Sequence, residues 1–310
     1  MHVAAIWRYP VKSMGGESLS HSQVTRAGIV GDRRYAVLDL DSGNIASAKR
    51  PAKWASLLQC TARYVVEPMQ GEVLPPLEIT FPDGSVHRSD DPVFDVRLST
   101  FMRRPVSLIS QVPEDARSEV IWRVMKGQEA TPWIRERTVA KLEGCDLVEF
   151  ELGAATPEVE GEKGFVDISP MHVISTATLR KFETLAPGVR FDPRRYRPNV
   201  VVDIPGESFA EDGWVGSQIT MGPLPVDVVT PTPRCVMSTL AHGDVPVDRR
   251  TLKAIIRHNT LALDFVSGNW ACAGVYVNPT RAETISVGDP VLILSGAAPQ
   301  LEDEQLKEEG

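Results

Sequence analysis

The stretch TPTPRCVMSTL, Thr230 to Leu240, sets one thiol, Cys235, behind two prolines and an arginine. A cysteine reacts, or ligates a soft metal, as its thiolate, and a neighbouring guanidinium favours that form. Pro231 and Pro233 fix their own φ and push Thr230 and Thr232 out of the helical region, so the approach to the thiol is expected to be extended and stiff. Side chains of an extended segment alternate between faces. Arg234 can therefore serve either the thiol or another group, and Cys235 itself can equally be a buried structural cysteine with a surface arginine beside it.

Two other stretches carry cations in a form suited to anions. RFDPRRYRPN places Arg190, Arg194, Arg195 and Arg197 against the single acid Asp192. A guanidinium fork matches two phosphate oxygens, although a solvated basic loop is the commoner origin of such a run. YPVKSMGG offers Lys12 and Ser13 with flexible glycines, and GDRRY adds Arg33 and Arg34. Backbone amides in loops of this kind can hold an anion, although many ordinary turns look the same. His242 follows Cys235 closely enough to act as its base, but no orienting acid is identifiable, which leaves a cysteine hydrolase or transferase without its third member. Cys60, Cys145, Cys235 and Cys272 are far apart, with no CxxC and no zinc-finger spacing.

Strands dominate the first hundred residues. RYAVLDLDSGNIASAK and LEITFPDGSVHRS read as hairpins turning at residues 41–44 and 82–84. Between 114 and 164 the pattern changes: Val120, Ile121, Val124 and Met125 have helical spacing, and PWIRERTVAKLEG opens with proline and stops at glycine, so two helices are expected. ATPEVEGEKG reads as an exposed acidic loop. STATLRKFETLAPG has a hydroxyl N-cap, one apolar face and a Pro-Gly stop, predicting a helix from Thr176 to Leu185. NVVVDI and LPVDVVT read as buried strands, DRRTLKAIIRHN as a helix, ACAGVYVN and TISVGDPVLIL as a closing pair of strands, and LEDEQLKEEG as a charged tail. Helices scattered among short strands, with no GxGxxG after a strand, argue against a Rossmann sheet and for an α+β, β-rich fold: a β-barrel core with peripheral helices.

The 310 residues, 42% of them hydrophobic, suffice for a large core. Lys and Arg total 33 against 41 Asp and Glu, a net charge of −8, which argues against broad binding to nucleic acid or an anionic membrane. The longest apolar run near the start, VAAIW, is too short for a signal core or a membrane span, so a cytoplasmic location is expected.

From YPVKS through GDRRYAVLD, STATL, RYRPNVVV, FAEDGW and PRCVMSTL to ISVGDPVLIL, the order and spacing of the motifs resemble the MOSC-domain proteins, in the two-part form with an N-terminal MOSC β-barrel segment. The resemblance divides the chain into that segment (1–110), a helical insertion or linker (111–164), the MOSC domain (165–296) and an acidic tail (297–310). It implies a molybdenum cofactor, a molybdopterin, whose metal is held by a cysteine thiolate, here Cys235, also the catalytic centre. The family's pterin and phosphate contacts map onto Lys12, Ser13, Arg33, Thr176, Thr178, Arg197 and Asn199. Relatives tend to have an acid at the position of Thr176, so an acidic role there does not transfer, and the segment 118–142 has no match.

The activity implied is two-electron reduction of N-hydroxylated compounds. No clustered cysteines follow the last strand, so electrons are expected from a separate protein of iron–sulfur, flavin or cytochrome type. A cofactor or sulfur carrier without catalysis shares every one of these motifs.

Overall fold

A computed structural model of the chain describes residues 1–114, 117–123, 140–141, 147–153, 159, 163–263 and 266–294. Its centre is a mixed sheet with strands in the order Glu17–Leu19, His2–Arg8, Val200–Asp203, Met171–Ser175, Val266–Pro279, Leu224–Pro233, Gln218–Met221 and Val291–Leu294. The pair Met171–Ser175 with Val200–Asp203 is parallel, and the other pairs along this path are antiparallel. The sheet curls until the start of the chain meets residues 288–291, through Gly288 N to Val3 O (2.8 Å), Val3 N to Asp289 O (2.8 Å) and Val291 N to Met1 O (3.0 Å). Those bonds stitch the two ends without a long ladder.

The sheet is buried on both faces, which is why NVVVDI reads as a continuous apolar run rather than an alternation. Val200 and Val202 join Val173, Val226, Val275 and Val277 in the inner core. Val201 packs on the other face with Ile174, Phe182, Phe191 and Ile255, beneath the helices Thr176–Leu185 and Arg250–His258. Both helices lie where the periodicity predicts them. The first is capped by Ser175, whose Oγ accepts from Thr178 N at 3.0 Å.

A second core, including Val11, Met14, Trp54, Leu57, Leu77, Phe94 and Leu98, belongs to the N-terminal region. There Leu77–Thr80 and Val86–Arg88 form the expected hairpin around residues 82–84. The other expected hairpin is only partly present. Ala36–Asp39 takes Val106–Ile109 as its partner strand and touches the returning chain through the Leu38–Ile45 bridge.

The expected helix over 115–127 is corrected. Arg117–Arg123 is a strand, antiparallel to Leu147–Gly153. Apolar residues at i, i+1, i+4 and i+5 suit either structure, and a long-range partner with β-branched content decides for the strand. Ala140–Lys141, inside the second expected helix, is also strand, and the rest of that helix and most of ATPEVEGEKG lie outside the described residues, as does the charged tail. The closing strands form but do not pair with each other: Val266–Pro279 lies between Met171–Ser175 and Leu224–Pro233, Glu283–Ser286 pairs with His21–Thr25, and Val291–Leu294 pairs with Gln218–Met221. Among the described residues no helix is long and apolar enough to cross a membrane.

Candidate functional site

Four remote segments meet at one end of the central sheet. Residues 9–12 run beside 33–35, with Arg33 N donating to Tyr9 O (2.7 Å), Lys12 N to Tyr35 O (2.8 Å) and Tyr35 N to Pro10 O (2.9 Å). Phe165 N then bonds Arg33 O at 2.8 Å, bringing in 165–167. The turn after the short helix Pro193–Tyr196 adds Arg197, whose guanidinium donates to Met14 O. Ser13, Arg33 and Arg197 all have left-handed backbones, with φ of 64°, 49° and 52°. Non-glycine residues pay for that conformation, and such outliers concentrate where a site must be held in one geometry.

The side chains form a buried, predominantly positive cluster. Arg33 and Arg197 stack over the same ring, Tyr9, at 4.9 and 4.3 Å from its centroid. Arg33 pairs with Asp32 and donates to Arg197 O at 3.2 Å. Arg197 Nη2 is buried with no hydrogen-bond partner. Burial, reinforced by the charge of Arg33, lowers the Arg197 pKa to about 10. Lys12 donates to Phe165 O (2.9 Å) and Asp167 (2.7 Å), and Lys49 sits on the other oxygen of Asp167 at 3.0 Å. Partial burial would raise the Asp167 pKa, but the two ammonium groups dominate and hold it well below the carboxylate range.

Cys235 follows the strand Leu224–Pro233, which confirms the extended approach, and its free thiol is partly exposed. Arg234 points away from solvent into the sheet end, donating to Ala273 O (2.8 Å), Tyr196 O (3.1 Å) and His172 Nε2. Burial, with the charges of Arg234 and Arg33, keeps His172 well below its ordinary pKa, so the ring is neutral and its Nε2 accepts from Arg234. Lys49 and Arg234 both interact electrostatically with Cys235. Burial works against the charge of Lys49, yet Asp167, with Cys235 and Tyr276 behind it, raises its pKa above the ordinary value.

The expected site residues divide into two groups. Lys12, Ser13, Arg33, Arg197 and Asn199 are brought together: Asn199 Oδ1 accepts from Arg33 (3.4 Å) and His172 N (3.1 Å). Ser13 Oγ accepts the Ala48 amide at 3.0 Å and so positions Lys49.

Thr176 and Thr178 are not brought to this cluster. They begin the helix beyond Ser175, three residues along the strand from His172 and so roughly 10 Å away. Thr176 Oγ1 donates to Asp203 (2.8 Å), and Thr178 Oγ1 to the buried carboxylate of Glu211 (2.7 Å). The expected phosphate cradle at this helix start is therefore closed by an acid of the chain itself. His242 is no base for Cys235: its Nε2 lies 2.9 Å from Met237 O, and burial lowers its pKa to about 4.

Lys49, Asp167 and His172 escape a reading of the sequence. Lys49 lies in SAKRP and Asp167 in FVDIS, both ordinary-looking turns, and His172 sits in the strand Met171–Ser175. Nothing local marks them. Among the described residues no group of three His, Cys, Asp or Glu could hold a metal ion.

Curated relatives align with most of the chain. Amidoxime-reducing component 2 of Rattus norvegicus mitochondria is 25% identical over 308 residues, covering 93% of this chain and 82% of its own. Component 1 of Mus musculus is 24% identical, covering 94% and 82%. Component 2 of Homo sapiens is 23% identical, covering 93% and 82%. The solved structure of YiiM from Geobacillus stearothermophilus aligns with 41% of this chain and 55% of its own at 18% identity and a TM-score of 0.29, too loose to carry an argument. Residues 1–87 match the MOSC N-terminal beta barrel domain and residues 160–292 the MOSC domain, so the chain belongs to the MOSC-domain proteins that carry both.

Proposed function

We propose that the cluster binds a molybdopterin-type cofactor, with Cys235 as protein ligand to its molybdenum, and that the protein reduces N-hydroxylated compounds. The observation that carries this reading is the uncompensated positive charge: among the described residues Lys12, Arg33, Lys49, Arg197 and Arg234 converge against the acids Asp32 and Asp167, and one buried guanidinium nitrogen of Arg197 has no partner. Buried charges without partners are costly, so the site fits an anion such as a phosphate or dithiolene. A single protein thiolate suits a metal that brings its other ligands with it.

In this reading Arg197 and Arg33 hold the anionic end, with Asn199 fixing Arg33. Ser13, already accepting from Ala48, keeps its hydroxyl proton for an acceptor in the site. Lys12 is kept charged by Asp167. Arg234, tied to two carbonyls and His172, sets the backbone on which the thiol stands, and Lys49 adds a second cation to its surroundings. When bound, the cofactor supplies a two-electron redox centre able to take oxygen from nitrogen. The names of the amidoxime-reducing relatives support that substrate class, and the resemblance of the motifs supports the cofactor.

The test is molybdenum content and oxidised-pterin fluorescence on protein from a host that makes the cofactor, with amidoxime reduction driven by reduced methyl viologen. Wild type is expected to carry metal and pterin together. Cys235→Ala should fold, lose the metal and lose turnover, while Arg197→Ala should lower pterin retention by about 10–100-fold. Full turnover by Cys235→Ala, or wild type free of both metal and pterin, would refute the proposal.

A further inference from the structure

The helix Arg250–His258 concentrates positive charge on its outer side in a chain of net charge −8. Thr251, Ala254 and Ile255 face the core, whereas Arg249, Lys253, Ile256 and Arg257 are exposed. Arg250 is paired with Asp248 (2.7 Å), but Arg249, Lys253 and Arg257 have no ion-pair partner among the described residues. Nearby acids are already engaged: Arg194 holds both Asp192 (2.8 Å) and Asp244 (2.6 Å). Ile256 and Val247, 40% and 60% exposed, add apolar area within the basic surround. Basic residues around exposed aliphatic side chains make a surface complementary to a protein whose contact face is acidic.

The place of this helix gives the surface its meaning. Thr251 Oγ1 donates to Ser238 O at 3.1 Å, and Ser238 in turn donates to Cys235 O through N (3.2 Å) and Oγ (3.0 Å). The basic helix thus lies directly on the segment that carries the thiol.

We propose that this face docks a small electron-carrier protein that presents carboxylates around its redox centre. The inference rests on the reading of Cys235 as metal ligand in a reductase. The net negative charge of the chain repels such a carrier, so this basic face would attract it to the helix that packs on the Cys235 segment.

The probe is a purified acidic [2Fe–2S] ferredoxin, titrated against the holoprotein over a range of salt concentrations. Saturable binding that weakens with salt is expected, and the variant R249E/K253E/R257E should bind about tenfold more weakly while keeping the wild-type melting temperature and the wild-type rate with methyl viologen, a small donor that needs no docking face. No saturable binding by wild type, or equal binding by the variant, overturns the proposal. Anionic lipid vesicles that bind as tightly as ferredoxin, with the same loss in the variant, also overturn it, because the face would then serve a lipid surface. Ferredoxin binding that is lost in the variant, in a protein that reduces no amidoxime with methyl viologen, defeats the reductase reading and leaves the docking surface standing.

Discussion

Arg33 and Arg197 share the ring of Tyr9, and two like charges held over one buried ring repel each other. Such an arrangement persists in a folded chain when something else compensates it, as Asp32 does beside Arg33. A second, half-buried charge permits a cleaner test of the same physics. Burial raises the Asp212 pKa from 3.8 to about 6, opposed by the Asn259 amide (2.8 Å) and helped by the charge of Glu211. The folded state therefore binds more protons than the unfolded state between pH 4 and 6, and stability present below pH 4 is lost as pH rises through about 6. Asp212→Asn keeps an acceptor for Asn259 and is expected to match wild type at pH 4 but to be more stable at pH 8, by about 1 kcal/mol once screening at this partly exposed group is allowed for. Urea unfolding at the two pH values checks this, and equal stabilisation at both would contradict it.

At the scale of elements, the site depends on short connections that take conformations few residues tolerate. Gly274, within the strand Val266–Pro279, has φ of 78°, and a Cβ there would land 2.5 Å from Val173 O and directly on His172 Nε2. Gly274→Ala is expected to displace His172 and with it Arg234, destabilising the protein by about 1–3 kcal/mol and lowering cofactor retention. Gly213→Ala, where the added methyl meets open space and φ is not positive, should stay within about 0.5 kcal/mol of wild type in the same denaturant series. Helices were readable at this scale because their signals are local: the Ser175 cap and one apolar face bound Thr176–Leu185 without reference to the rest of the chain. The strand Arg117–Arg123 was not, since its apolar residues fit a helix as well and its partner Leu147–Gly153 lies beyond any local window.

Across the whole molecule, the first strand does not stay with the N-terminal region. His2–Arg8 pairs with Val200–Asp203 inside the central sheet, and His21–Thr25 pairs with Glu283–Ser286 in a smaller one, so two sheets cross the division expected near residues 110 and 165. A fragment spanning 160–310 is therefore expected to lack a cooperative unfolding transition and to regain one when residues 1–114 are supplied in trans; cooperative melting of the fragment alone by calorimetry would contradict this. By itself the sequence determined the β-rich class, the helix over Thr176–Leu185, the stiff approach to Cys235 and the candidate cations Lys12, Arg33 and Arg197, because caps, prolines and motif order act over a few residues. Only the tertiary structure decided that Lys49, Asp167 and His172 join them while Thr176 faces Asp203 and Thr178 faces Glu211 at the far end of a strand. Which side chains meet is set by strand register and loop closure between distant segments, and no local pattern of residues encodes either.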